Sequence, residues 1–408
     1  MTDADDQATT IAWLSSPGAY GGHPVQRVDT HISIVFLAGA DAFKLKRAVR
    51  FDFLDFSTAD LRRRRCEDEV RLNRRTAPSI YKGVLPITRE GDGTLAIDGA
   101  GTPLDWVVHM QRFDQAQLLD RLAQVGGLST ALMDPLARSI AAFHRDAARR
   151  LDRGGARGLR LVVDGNDRGL RALHDHVNAR AVTRLIDLTR AEFDRVSPVL
   201  EDRRQRGFVR ECHGDLHLGN IVLIDGQPTL FDAIEFNDDI ACCDVLYDLA
   251  FLVMDLRHRG LGVHANALLN AYLEETGDYG GLSLLPVFLA CRAAVRAKID
   301  AASAQVQRDA NRRLDLQVEA REYLHEGIRY LHHAAPIALA VGGFSGTGKS
   351  TVAAAVAPVI LGAPGAVLLR SDVIRKQLCG VDRLEKLGPS GYTSDVSARV
   401  YAELASRT

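Results

Sequence analysis

The stretch His213-Gly214-Asp215-Leu216-His217-Leu218-Gly219-Asn220 decides the fold that we expect for this chain. It places a histidine, an aspartate two residues later and an asparagine five residues after that in one short segment. A predicted hairpin over 221–231, with its turn at Asp225-Gly226, leads directly to Asp232. From average residue frequencies, the three polar residues at these spacings should occur by chance in about one chain in fifty of this length. The addition of Asp232 therefore indicates a functional site rather than a coincidental polar loop.

The spacing matches the catalytic-loop pattern H-x-D-x-x-x-x-N of enzymes that transfer a phosphoryl group. Such transfer needs a carboxylate that orients the attacking hydroxyl and oxygen ligands that hold Mg²⁺ on the phosphates. We therefore predict His213 and Asp215 as catalytic residues, with Asp215 acting as the base. Asn220 and Asp232 are predicted to ligate Mg²⁺. The predicted substrates are ATP, with GTP as an alternative, and a small-molecule acceptor that carries a hydroxyl group.

Two lysines upstream are candidates for the residue that contacts the nucleotide phosphates. By count, only seven of the 51 basic residues are lysines, so a lysine at a motif position is informative. Ala42-Phe43-Lys44 fits the A-x-K pattern of a third strand, but Lys46 lies on the same face by the period of two. The choice between them stays open. No G-x-G-x-x-G loop precedes Lys44, so cover for the phosphates is expected from 30–33 or from the turn over 38–41.

A helix after these strands is expected to supply an acidic partner for the lysine. The residues over 57–60 carry a helix-start signal, and the charged pattern continues to about residue 75. Both Glu67 and Glu69 lie on this helix. We favour Glu69, because it shares a helical face with Asn73 at a spacing of four residues.

A second motif, Gly343-Phe344-Ser345-Gly346-Thr347-Gly348-Lys349-Ser350, is a complete G-x-x-x-x-G-K-[ST] sequence. It stands between a predicted strand over 337–341 and a predicted helix that begins at Lys349. In such a loop, backbone N–H groups and the helix N-terminus hold phosphate oxygens. The predicted nucleotide contacts are Gly343, Gly346, Gly348, Lys349, Ser350 and Thr351.

Another predicted strand, over 366–370, is followed by Ser371-Asp372-Val373-Ile374-Arg375. This D-x-x-R element resembles the acceptor-binding element of P-loop kinases of the gluconate-kinase-like and zeta-toxin-like kinds. Asp372 would then orient a hydroxyl and Arg375 would face a phosphate. A capping aspartate followed by an arginine on a surface helix is an equal alternative. The segment 336–408 is short for a P-loop kinase, so we expect an incomplete unit that binds nucleotide poorly.

The patterning divides the chain into four parts. Residues 1–27 are expected to form a loose lead-in, 28–112 a small sheet-rich lobe with one helix, and 113–333 a helical lobe that contains the motif loop. Residues 336–408 are expected to form the beginning of a P-loop domain. The predicted fold class is therefore α+β: a two-lobed protein-kinase-like fold followed by an incomplete α/β P-loop unit.

The motif loop and Asp232 together resemble the aminoglycoside phosphotransferase/choline kinase family, whose loop typically reads H-G-D-x-H-x-x-N. The resemblance covers about 28–330, and Asp244 and Asp248 resemble the acidic segment that supports the loop in that family. The sequence Phe43-Lys44-Leu45-Lys46-Arg47 and the fused P-loop unit resemble features of a bacterial subgroup of bifunctional aminoglycoside phosphotransferase/ATP-binding proteins. The resemblance implies a protein-kinase-like fold and the phosphorylation of small molecules.

Family members that bind cationic acceptors use acidic pockets. Glu235, Asp238 and Asp239 follow the predicted metal ligand Asp232 and could line such a pocket. They could equally be loop acids that cap the next helix.

The composition is that of an ordinary globular protein, with a net charge of −1 and 46% apolar residues. It indicates neither a nucleic-acid nor a membrane partner. Six scattered cysteines without a C-x-x-C pair favour a reducing cytoplasm. Two other functions stay open: a nucleotide-binding sensor or pseudokinase that regulates the P-loop unit, and a P-loop kinase that carries the chemistry itself.

Overall fold

The computed structural model of the chain describes residues 3–51, 54–173, 177–333, 335–344, 346–360, 362–382 and 385–407. The chain forms two compact units. The first unit contains residues 1–128, 143–153 and 209–243, and the second contains 129–142, 154–208 and 244–408. None of the helices in the described ranges combines the length and the apolar character that crossing a membrane requires.

The strands are β1 (Val25–Asp29), β2 (Ser33–Ala38), β3 (Asp41–Lys46), β4 (Arg50–Phe51), β5 (Leu54–Asp55), β6 (Tyr81–Arg89), β7 (Leu95–Ile97), β8 (Thr102–Gln111), β9 (Val209–Glu211), β10 (Ile221–Ile224), β11 (Gln227–Leu230) and β12 (Cys242–Asp244). The helices are α1 (Asp3–Leu14), α2 (Ala59–Asn73), α3 (Leu119–Gln124), α4 (Met133–Asp146), α5 (Gly155–Ala172), α6 (Ala179–Gln205), α7 (Asp238–Ala241), α8 (Val245–His258), α9 (Gly262–Thr276), α10 (Leu285–Val306), α11 (Ala310–Tyr330), α12 (Lys349–Val356), α13 (Ser371–Leu378) and α14 (Ser394–Arg407).

The first unit contains a six-stranded antiparallel sheet, in the order β1-β2-β3-β8-β6-β7. Because side chains alternate along a strand, β3 turns Phe43 and Leu45 to one face and Lys44 and Lys46 to the other. Phe43 and Leu45 join an apolar core that includes Leu14 of α1. The two lysines are thereby directed to the opposite face. The sequence pattern predicts strands in this region at 32–37, 42–46, 83–88, 94–98 and 104–110, and each of these segments overlaps a strand of this sheet.

The expected loose lead-in over 1–27 instead contains helix α1 and the beginning of strand β1. Leu14 of α1 is fully buried against the sheet. Gln7 Nε2 donates to the backbone oxygen of Lys46 at 2.9 Å and to Asp105 Oδ2 at 2.8 Å. The large apolar residues of helix α1 stand together at its C-terminal end, and its docking depends on the sheet surface and on these polar contacts. A local pattern could not show either.

Helix α2 packs against the face of the sheet that carries the lysines. It begins as predicted, because the Thr58 side chain accepts a hydrogen bond from Leu61 N at 3.3 Å. Val70 contributes to the apolar core between the helix and the sheet. Arg62 of α2 donates to Asp105 of β8 at 2.8 Å, and both side chains are buried. The helix is therefore tied to the sheet by apolar packing and by a buried ion pair.

Long helices make up most of the second unit. Helical patterning in the sequence over 284–332 predicts a helical segment, and the chain forms two helices there, α10 and α11. Asp309 precedes α11, and its side chain accepts a hydrogen bond from Arg312 N at 2.8 Å. The sequence pattern also predicts a helix over 168–178. Residues 168–172 belong to α5, residues 177–178 are not helical, and residues 174–176 lie outside the described ranges. Arg203 of α6 is buried and donates to Asp244 and to Asp278. This arrangement of three charges joins α6 to the beginning of α8 and to the segment after α9.

The two strands predicted for the P-loop segment are not formed in the described residues. Ile337 and Leu339 are 61% and 65% exposed, so no sheet covers them. In the other segment, Asn270 of α9 accepts from Leu368 N at 2.6 Å and donates to Ala366 O at 3.2 Å. Asn266, one turn earlier on α9, also donates to Ala366 O, at 3.0 Å. Side chains of a helix therefore take the backbone hydrogen bonds that the prediction assigned to a neighbouring strand.

Candidate active site

Lys44 lies at the centre of a group of charged side chains in the first unit. Its Nζ is 2.8 Å from Glu69 Oε1 and 2.5 Å from Asp232 Oδ1. Burial lowers the pKa of the Lys44 ammonium, but Asp232 and Glu69 outweigh this effect and hold the pKa well above its usual value. The structure thus brings together the strand lysine, the helix carboxylate and the carboxylate after the hairpin.

Lys46 lies deeper than Lys44. Only 1% of its side chain is exposed, against 14% for Lys44. Its Nζ is 2.6 Å from Glu69 Oε2 and also contacts Glu235 Oε1. Burial lowers the pKa of Lys46, and the two carboxylates raise it by more, so the lysine stays charged. Of the two lysines that the sequence leaves open, Lys44 is the one whose ammonium a ligand in the site could contact.

The five residues form one alternating series of charges, Asp232, Lys44, Glu69, Lys46 and Glu235, which we call the charge chain. Glu69 is its centre and is fully buried. Burial raises the pKa of the Glu69 carboxyl, but Lys44 and Lys46 lower it by more, so it stays well below its ordinary value. Each buried charge in the series is stable only because its neighbours compensate it.

Glu235 does not line an acceptor pocket, contrary to one of the two interpretations of the sequence. Its carboxylate is buried against Lys46, and burial raises its pKa more than Lys46 lowers it. Asp238 and Asp239 are exposed in the first turn of α7, which the Asn237 side chain caps by accepting from Asp239 N at 2.9 Å. The other interpretation, loop acids at the start of a helix, therefore describes Asp238 and Asp239.

The motif loop fixes Asp215 beside Asn220. Asn220 Nδ2 donates to Asp215 O at 2.9 Å and to Asp215 Oδ2 at 3.1 Å. Gly214 has a φ of 81°, and a Cβ at this position would lie 3.3 Å from both Ala241 Cα and Ile234 Cβ. Only glycine combines this backbone conformation with so close an approach. The Asp215 side chain remains 38% exposed, as a group that meets a substrate must be.

His213 is placed in the interior, which corrects its prediction as a catalytic residue. It is fully buried, and its Nε2 lies 2.8 Å from Phe231 O. Its own backbone oxygen accepts from Ile234 N at 2.9 Å. These two contacts flank Asp232 on both sides. His213 therefore supports the segment that carries Asp232 and does not reach the surface where a substrate would bind.

Asp232 is held by residues that the sequence did not reveal as part of the site. It has a φ of 63°, in the left-handed region that is unusual for residues other than glycine. Its N–H donates to Tyr81 Oη at 3.1 Å, and the next N–H, of Ala233, donates to Asn73 Oδ1 at 2.8 Å. In the sequence, Asn73 is notable only because it shares a helical face with Glu69, and Tyr81 belongs to no recognisable motif. The Asp232 side chain is 40% exposed.

The strand register distinguishes the two segments expected to cover a phosphate. Ser33 pairs with Lys46, so the loop between β1 and β2 lies beyond the end of β3 that carries the lysines. Ala38 pairs with Asp41, so the turn over 38–41 lies at the opposite end. The register therefore favours the 30–33 segment.

Helix α12 follows the glycine turn of the P-loop motif, and the described residues 335–344 contain no strand. Gly343, Gly346 and Gly348 have positive φ values, and Lys349, Ser350 and Thr351 form the first turn of α12. Ser345 lies outside the described residues. Lys349 Nζ donates to Phe344 O at 2.5 Å, and Phe344 is 88% exposed. The predicted nucleotide contacts therefore lie on a glycine-containing loop and on the first turn of the helix that follows it.

Asp372 and Arg375 of α13 are engaged differently from the acceptor-binding prediction. Asp372 pairs with Lys376 of the same helix at 3.3 Å. Arg375 donates to Gly391 O at 2.9 Å and to Ser397 Oγ at 3.1 Å. The guanidinium therefore connects α13 to the segment around α14, and this structure supports the surface-helix alternative for the pair.

Comparison with known proteins agrees with this architecture. Residues 339–408 match a family model described as an AAA domain. The chain is 33% identical over 379 residues to the uncharacterized proteins Rv2004c of Mycobacterium tuberculosis and Mb2027c of Mycobacterium bovis. Each match covers 90% of this chain and 72% of the mycobacterial protein.

The likeness to the fold of a choline kinase confirms the predicted kinase-like fold. The choline kinase of Cryptosporidium parvum matches with a TM-score of 0.50 at 10% identity, over 79% of this chain and 95% of that one. A choline/ethanolamine kinase family protein of Mesorhizobium loti matches with a TM-score of 0.45 at 14% identity, over 80% and 99%. The chain therefore belongs to the same family as the two mycobacterial proteins, and it joins an aminoglycoside phosphotransferase/choline kinase-like fold to an AAA-type P-loop domain.

Proposed function

We propose that the chain is an ATP- and Mg²⁺-dependent phosphotransferase that moves the γ-phosphate to a hydroxyl group of a small-molecule acceptor. The observation that carries the proposal is the Lys44 ammonium between Glu69 and Asp232, in the same unit as the Asp215–Asn220 pair. Positioning and charge stabilisation by such groups are what phosphoryl transfer requires. The likeness in fold to a choline kinase supports a small hydroxyl compound as the acceptor.

The side chains suggest separate roles. The exposed carboxylate of Asp215 is suited to orient the acceptor hydroxyl and to take its proton. Asn220 directs its Nδ2 to Asp215, so its amide oxygen is the atom suited to a cation, and Asp232 offers a partly exposed carboxylate. Mg²⁺ bound there would neutralise charge on the phosphates. With ATP bound, the Lys44 ammonium would contact a phosphate while Glu69 keeps it in place.

A screen of acceptors can test the proposal. ATP and GTP, each with Mg²⁺, would be incubated with the full chain and a library of metabolites and aminoglycosides, with phosphate release and acceptor mass gain as readouts. Asp215→Asn and Lys44→Met should each lower turnover by about 10²–10⁴-fold. Asp225→Asn is the matched control, because Asp225 is an exposed carboxylate with a φ of 50° that asparagine also tolerates.

The comparison of the variants decides the outcome. Loss of turnover in Asp215→Asn with normal turnover in Asp225→Asn would support the assignment. Equal turnover by wild type and Asp215→Asn would contradict the assignment. The P-loop domain would then be the candidate source of the activity.

A further inference from the structure

His217 makes two contacts through its two ring nitrogens. Its Nδ1 accepts a hydrogen bond from the backbone N–H of Gly219 at 3.0 Å, which caps the short turn over Leu218–Asn220. Its Nε2 lies 3.3 Å from Asp215 Oδ2. The imidazole therefore bridges a backbone donor and the carboxylate that we assign as the base.

The first contact determines which nitrogen carries the proton. A ring nitrogen accepts a hydrogen bond only through a lone pair, so Nδ1 must be unprotonated. In the neutral ring the proton then resides on Nε2, which faces Asp215. The backbone of Gly219 thus selects the tautomer in which His217 donates to the Asp215 carboxylate.

Glycine at position 219 is part of this arrangement. A Cβ on Gly219 would lie 2.9 Å from His217 Cε1 and 3.1 Å from His217 Nδ1. The imidazole ring therefore occupies the space that a side chain at 219 would need. Gly219 is required for this close approach rather than for an unusual φ, because it is not among the positive-φ glycines.

Two donors converge on one oxygen of Asp215. Asn220 Nδ2 lies 3.1 Å from Oδ2, and His217 Nε2 lies 3.3 Å from the same atom. Two donors on one oxygen restrict rotation of the carboxylate about its Cβ–Cγ bond. Asn220 alone would leave that rotation less restricted.

We infer that His217 is a positioning residue for the phosphotransfer reaction: it holds the Asp215 carboxylate through an Nε2–H whose tautomer is selected by the Gly219 backbone. The inference rests on the proposed function, since it assigns a partner to the base of that reaction. His217 makes no contact with substrate in this role and acts through Asp215.

Two substitutions separate this role from simple capping of the turn. In His217→Asn, the side-chain oxygen can occupy the place of Nδ1 and keep the cap, but no donor reaches Asp215. In His217→Gln, the side-chain nitrogen can occupy the place of Nε2 and keep the donor, but the cap is lost. We expect His217→Asn to lower kcat about 10- to 100-fold with KM for ATP unchanged within about twofold, and His217→Gln to lower kcat less than about fivefold. The reverse order, or equal values, would overturn the inference.

A second measurement does not depend on turnover. The imidazole nitrogens of the ¹⁵N-histidine-labelled full chain would be recorded by NMR, and the His217 signals assigned by their loss in His217→Gln. An Nε2–H tautomer is expected, and an Nδ1–H tautomer would overturn the inference. Normal kcat in His217→Asn together with an inactive Asp215→Asn would overturn this inference alone. Normal kcat in Asp215→Asn would instead overturn the proposed function.

Discussion

Replacement of Lys46 by methionine tests the charge chain more directly than any other change. Methionine fills a similar volume but leaves Glu69 with Lys44 alone and leaves Glu235 buried without its lysine. Because burial already raises the pKa of Glu235 in the presence of Lys46, the carboxyl in Lys46→Met should take up a proton. The free energy of protonating Glu235 then determines how much the substitution lowers the free energy of unfolding.

The magnitude follows from the pH. At pH 7.5, protonation of a carboxyl of ordinary pKa costs about 4 kcal/mol, at about 1.36 kcal/mol per pH unit, and at pH 5.5 it costs about 1.5 kcal/mol. The first value agrees with the range of about 3–5 kcal/mol for removal of one partner from a buried pair. Since the folded variant binds a proton that the unfolded chain lacks, its deficit relative to wild type should shrink as the pH falls.

The assay can be confined to the first unit. The chain has two tryptophans, Trp13 and Trp106, and both belong to that unit. Urea unfolding followed by tryptophan fluorescence, at pH 7.5 and 5.5, therefore reports the relevant transition. Lys82→Met is the matched control, because Lys82 is 37% exposed and its pair with Asp41 should contribute less than about 1 kcal/mol.

Three results are expected for the charge chain. Lys46→Met should be destabilised by about 4 kcal/mol at pH 7.5 and by less than half as much at pH 5.5. Adding Glu235→Gln should recover at least half of the loss at pH 7.5, because the uncompensated carboxylate is gone. A loss below about 1 kcal/mol at pH 7.5, or the same loss at both pH values, would refute the reasoning.

Three further predictions concern the second unit. Burial raises the pKa of the Asp300 carboxyl to about 6, so wild type loses stability as the pH rises through the range between its unfolded and folded values. Relative to wild type, Asp300→Asn should gain about 2 kcal/mol between pH 4.5 and 7.5 in thermal unfolding, whereas a difference independent of pH would speak against the shift. Arg203→Met should lower stability by about 3–5 kcal/mol in urea unfolding followed by circular dichroism, because it leaves Asp244 and Asp278 uncompensated, and a loss under about 1 kcal/mol would contradict this. Lys349→Ala should leave phosphate release within about twofold of wild type, and a large loss would place the chemistry in the P-loop domain.

The sequence was most informative where chemistry demands fixed spacing along the chain. The separation of Asp215 and Asn220, and the hairpin that leads to Asp232, are local properties that the loop and its turn impose. The A-x-K pattern made Lys44 a candidate but left Lys46 open, since both lie on the same face of β3, and the difference in burial between them appears only in the structure. Burial depends on the packing of α2 against the sheet, which no local pattern contains.

Contacts between distant segments account for what could not be predicted. Tyr81 of β6 accepts a hydrogen bond from the backbone N–H of Asp232. Glu235 points inward because Lys46 compensates the charge of its carboxylate. The prediction of two strands in the P-loop segment was wrong for a related reason. A segment with strand propensity forms a strand only when a neighbouring strand supplies its hydrogen bonds. At Ala366 and Leu368 that neighbour is a helix.

The contact of α9 with this segment has a consequence for how a sheet could be built there. In an extended chain, backbone groups of alternate residues point to the same side, so Ala366 O and Leu368 N belong to one edge. Asn266 and Asn270 occupy that edge with side-chain amides. A further strand could therefore pair with the segment only through the backbone groups of the opposite edge. On that side, a strand could pair with the segment only after these amides had been displaced, so α9 would act there as the cover that protects exposed sheet edges.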